Sequence, residues 1–167
     1  AVTSGAGNTA VGHHYAMACT TGQGNVVLGY DAFKTNVDGS YSVAIGWSSL
    51  YTAEAASAND GHNIAIGYNS AYALTTGVKN IMIGSGALDA ATTALQNVAI
   101  GYDAMSSVPS GVALDGCVAI GYSAMLGASA TTGANYSIAI GYSALTALTS
   151  GAKNIAIGYD ALGDATE

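Results

Sequence analysis

One pattern runs the length of the chain: an apolar and usually β-branched residue, a small residue, a second large aliphatic residue, then glycine. It reads NIAIGY at 63–68 and 154–159, NVAIGY at 97–102, CVAIGY at 117–122 and SIAIGY at 137–142. Looser copies are NTAVGH from Asn8, NVVLGY from Asn25, SVAIGW from Ser42 and NIMIGS from Asn80. The anchor glycines are Gly12, Gly29, Gly46, Gly67, Gly84, Gly101, Gly121, Gly141 and Gly158, spaced 17, 17, 21, 17, 17, 20, 20 and 17 residues apart. Such a period is too short for a pair of helices and suits one solenoid coil. Period-two alternation within each motif predicts a short strand with two distinct faces. The chain therefore reads as all-β, one domain over 1–167, a β-solenoid (β-roll) of nine coils.

Hydrophobicity assigns the β-branched positions to the interior. One inward ladder runs Val11, Leu28, Ile45, Ile66, Ile83, Ile100, Ile120, Ile140 and Ile157, with Val26, Val43, Ile64, Ile81, Val98, Val118, Ile138 and Ile155 beside it. After the glycine, Phe33, Leu50, Leu88, Met105, Met125, Leu145 and Leu162 close the core from a second wall, and Leu74 takes that role in its coil after a local shift. About three large side chains per coil, worth roughly 1.5–3 kcal/mol each, do not offset the ordering of a single coil. Stability must come from stacking, and nine coils at about 4.8 Å make a rod about 40 Å long. A glycine in every copy implies a positive φ or a close backbone approach. Asn- and Gly-rich strings at 20–25, 75–80 and 149–154 read as sharp turns, as do Asp38-Gly39, Asp60-Gly61 and Asp115-Gly116.

On this assignment the column between the inward positions faces out. It holds Ala10, Ala44, Ala65, Ala99, Ala119, Ala139 and Ala156, broken by Val27 and Met82. A solvated strand carries Thr, Lys or Glu there, so the smooth strip reads as an inter-chain interface. The alternative is that small residues suit a crowded, curved wall.

Charge narrows the partners. The net charge is −7, the cations are Lys34, Lys79 and Lys153, and arginine is absent. Phosphate backbones are bound by clustered cations, which excludes nucleic acid and argues against anionic lipid surfaces. No apolar run reaches the length of a membrane helix, so membrane insertion is not expected. Neither a basic n-region nor an h-region opens the chain, and that absence does not place it in the cytoplasm.

The NIAIG and SVAIG strings resemble the head repeats of Yersinia-type trimeric autotransporter adhesins, and NIAIGYDAL with TSGAKN is similar to repeats of phage tail-fibre proteins. The likeness extends from Asn8 to Leu162. It implies a left-handed β-roll, three of which associate about an axis with the small Ala position turned toward it. The repeats here are longer than those of the adhesins, and six copies carry a Tyr after the glycine. Without a coiled-coil stalk, anchor or knob, the chain reads as a segment or a mature subunit.

Candidate chemistry is sparse. Cys19 and Cys117 have no metal-ligand or CxxC spacing and read as small buried residues. His13, His14 and His62 pair with no Cys or carboxylate at ligand spacing, and adjacent strand residues point to opposite faces, so no metal is expected. Gly84-Ser85-Gly86 imitates a phosphate loop but belongs to the repeat. Asp31, Asp103 and Asp160 are not in consecutive coils, and no catalytic residue or cofactor is expected. Tyr30, Tyr68, Tyr102, Tyr122, Tyr142 and Tyr159, with Trp47, share one column and form an aromatic ladder. Its role is packing or, together with Tyr51 at the start of an inserted loop, receptor or glycan contact. The other insertions fall within 106–115 and 126–135.

These features predict a non-enzymatic structural or adhesive module, a homotrimeric fibre segment on a virion or cell surface that attaches to a host glycan or protein. A self-polymerising extracellular filament, stacked head to tail, is the alternative. An ice-binding face needs regularly spaced Thr, which the strands lack, and a left-handed acyltransferase helix needs a six-residue period.

Overall fold

The computed structural model describes residues 5–14, 19–53, 61–112, 114–127, 134–148 and 151–164. Among them lie nine three-residue strands: β1 (Thr9–Val11), β2 (Val26–Leu28), β3 (Val43–Ile45), β4 (Ile64–Ile66), β5 (Ile81–Ile83), β6 (Val98–Ile100), β7 (Val118–Ile120), β8 (Ile138–Ile140) and β9 (Ile155–Ile157). They form one sheet in chain order, every neighbouring pair parallel and matched motif to motif. Parallel neighbours require a crossover between successive strands. The chain is thus an all-β solenoid of about eight turns, as the period predicts.

The alternation holds, but its two faces are exchanged. Ala44, Ala65, Ala99, Ala119 and Ala139, with Met82, are 0% exposed in the chain's own core, and Val27 and Ala156 are nearly so. Ala10 is partly buried against the same core. The Val and Ile columns point outward, half-buried in mid-stack by their neighbours and exposed at Val11, Val26, Leu28, Ile83, Ile155 and Ile157. Volume explains the exchange. The Leu and Met side chains of the second wall reach across a narrow coil and leave space on the strand side mostly for a methyl group.

That second wall is where sequence placed it: Phe33, Leu50, Leu88, Met105, Met125 and Leu145 are buried, and Leu162 is half-exposed. In the fourth coil the equivalent position is Ala71, and Leu74, three residues on and fully buried, fills the space. All these wall positions except Leu74 have φ between 49° and 57°. In this left-handed region a β-branched side chain is a genuine outlier, which is why the wall is Leu, Met, Phe and Ala. Replacing Leu88 by Ile is accordingly expected to cost more than about 2 kcal/mol, although volume-conserving swaps usually cost under about 1.5 kcal/mol. Leu88→Met, which copies neighbouring coils, should stay below about 1 kcal/mol, and denaturant midpoints of the two variants check the contrast.

A buried polar column runs beside the core. Asn25, Asn63, Asn80 and Asn97 are almost fully buried, as are Ser42, Cys117 and Ser137 at the same position of their coils. Asn Oδ1 accepts the backbone N–H of the equivalent residue one coil on: Asn8 from Asn25 (2.9 Å), Asn25 from Ser42 (2.9 Å), Asn63 from Asn80 (3.0 Å), Asn80 from Asn97 (2.9 Å) and Asn97 from Cys117 (2.8 Å). Nδ2 donates to a carbonyl in the approach to the next strand, such as Gly39, Gly77 and Ala94. Residues read as turn formers are the internal fasteners of the stack, and their polar atoms are satisfied.

Candidate functional site

The exchange of faces relocates the candidate interface. Side chains with no exposed surface in one chain cannot meet another, so Ala44, Ala65, Ala99, Ala119 and Ala139 are core residues, with Ala156 and Ala10 in the same column. The surface available to a partner is the outward Val and Ile pair of each strand. It carries no charged side chain from β1 to β9, and Thr9 is its one polar member.

Just past the glycine bend the aromatic column borders this face. Ring centroids are 5.2 Å apart for His13–Tyr30 and 4.3 Å for Tyr30–Trp47, then 5.3, 4.9 and 5.2 Å along Tyr102–Tyr122–Tyr142–Tyr159, with interplanar angles of 25° or less. These are offset stacks. Each interior ring spends both faces on its neighbours and offers its edge to solvent, so sugar stacking along Tyr102 to Tyr142 would have to break the ladder. Tyr159, 79% exposed, is the ring at the end of this run. Tyr51 belongs to a second, shorter stack with Tyr72 (5.0 Å), and Lys34 Nζ sits 5.3 Å from its ring centre. A third pair, Tyr41–His62, stacks at 5.2 Å. Sequence reading missed both pairs, because their columns mix residue types and repeat over two coils only.

Titratable groups are few. Burial pushes the Cys19 and Cys117 thiols above the usual cysteine value, so neither is a thiolate at neutral pH. A hydrogen bond to Asp31 (2.9 Å) raises Lys34, and burial, followed by the charge of Asp89, raises Asp103. His13 and His14 do not point to opposite faces. They follow the strand, His14 has φ 56°, and their rings lie 3.8 Å apart, with His14 Nδ1 3.4 Å from Asp31 Oδ1. No group of three or more His, Cys, Asp or Glu among the described residues is arranged to hold a metal ion.

The insertion at 106–115 folds back on the core, burying Val108 and Leu114. Most of the other two insertions, including Asp60, lies outside the described residues. The chain matches no protein-family model, no curated protein and no solved structure.

Proposed function

We propose that the chain is a non-enzymatic structural module, a homotrimeric fibre segment exposed on a virion or cell surface and used in attachment to a host glycan or protein. The observation that carries the reading is an all-parallel sheet with one face open. Parallel sheets are almost always covered on both faces. Here the core covers the Ala side, while the other side shows an uncharged Val and Ile strip about 40 Å long.

With the ring column the strip is about 13 Å wide, so its area is roughly 500 Å², at the upper end of what monomers leave exposed. Two chains face to face would bury less than the roughly 800 Å² per partner of a stable interface. Three around an axis also bury the flanks of the strip. The ten acids bring no repulsion to that axis, because none lies in the Val and Ile columns. Resemblance to the adhesin and tail-fibre repeats supports threefold association, with the Val and Ile side turned to the axis in place of the Ala side.

Light scattering over a range of concentrations tests this. The expected mass is three times 16.4 kDa at every concentration, and the double variant Ile100→Lys, Ile140→Lys is expected to be monomeric. A wild-type monomer would sink the reading, and growth into polydisperse rods would replace it with a self-stacking filament.

A further inference from the structure

Ser85 stands where every other coil places an aromatic ring. The coil path does not skip there. Gly86 N–H donates to the Tyr68 carbonyl and Asp103 N–H to the Ser85 carbonyl, both at 2.9 Å, and β4, β5 and β6 keep register. Tyr68 and Tyr102 are therefore two coil steps apart, which places their rings about 10 Å from each other. No ring contact spans the interval, and the two rings are 57% and 51% exposed. A ring placed midway would lie about 5 Å from each, a normal distance for offset stacking. The opening is one rung wide, two π-faces wall it, and a partly buried serine forms its floor.

We infer that the gap between Tyr68 and Tyr102 over Ser85 is a binding slot for one planar aromatic ring with a polar edge, of the indole or phenol class. The ring replaces the missing rung, stacking on both tyrosines while its polar group meets the serine hydroxyl or solvent. A pyranose or other saturated ring lacks the flat, doubly stacked geometry that Tyr122 has between Tyr102 and Tyr142. The slot does not depend on the trimer, since its walls belong to one chain.

The test is titration of the intact chain with indole, followed by saturation-transfer NMR and calorimetry, with cyclohexanol and methyl glucoside as controls. Wild type is expected to bind one indole per chain saturably. Ser85→Tyr, which supplies the rung covalently, is expected to weaken binding at least tenfold and to raise Tm by about 2–4 °C. Ser85→Ala should keep binding, and Tyr102→Leu should lose it. Undiminished binding by Ser85→Tyr, equal binding of cyclohexanol or methyl glucoside, or no saturable binding by wild type would overturn the slot.

Discussion

Replacing Gly121 by alanine is expected to cost more than about 4 kcal/mol, enough to open the solenoid between its seventh and eighth coils. Two effects coincide there. Gly121 has φ 133°, which side-chain-bearing residues rarely adopt. A Cβ on it would also strike the carbonyl oxygen of Gly141, with the carbonyl carbon at 2.7 Å. The obstacle is backbone, so no rotamer change relieves it, and the coils must separate. Gly158→Ala provides the comparison. Its φ is also 133°, but an added Cβ meets only the Ala161 Cβ at 3.9 Å, ordinary contact. That variant bears the conformational cost alone, about 1–3 kcal/mol. Denaturant titration of both separates the contributions, and equal losses would show that close approach adds nothing.

The second large effect is expected at Asn80. Leucine has nearly the same size and more apolar surface, and yet Asn80→Leu should destabilise by about 3–5 kcal/mol, since each stranded buried polar group costs about 1–3 kcal/mol. Asn80 Oδ1 accepts from the Asn97 backbone N–H (2.9 Å), and its Nδ2 donates to the Ala94 carbonyl (2.8 Å). Leucine abandons both. Serine abandons one, because Ser42 and Ser137 show the hydroxyl accepting the N–H of the next coil, from Asn63 at 3.2 Å and Asn154 at 3.0 Å. Asn80→Ser is therefore expected to lose about half as much. If leucine proved as mild as serine in equilibrium unfolding, the amide column would not be holding the coils together.

The period, the strands, the glycine column and the second wall were all legible in the sequence, because each coil repeats the same constraint and repetition exposes it. Which strand face looks inward was not legible, since alternation carries no sign and hydrophobicity ranks Ile above Ala. A usable signal did exist. Residues 33, 50, 88, 105, 125, 145 and 162 are all unbranched at Cβ, a mark of positive φ, and long side chains on that wall leave the opposite one for Ala. The Asn preceding the strand in six copies was visible too. Read as a turn former, it concealed a buried ladder, because turn chemistry and amide stacking favour the same residue. The candidate site was legible in its aromatic half only. The column could be read directly, whereas the interface depended on the face that was reversed.

The hydrogen bonds that join successive coils, such as Gly121 to the Ile100 carbonyl and Gly141 to the Ile120 carbonyl, both 2.8 Å, run along the rod. Tension applied to its two ends loads them in series, so the terminal coil with the fewest neighbours yields first and shields those behind it. Each coil that peels away turns about 4.8 Å of rod into roughly 60 Å of extended chain. Under a steady pull the molecule lengthens in discrete steps while its remaining coils stay folded, which makes it a molecular tether that absorbs mechanical work.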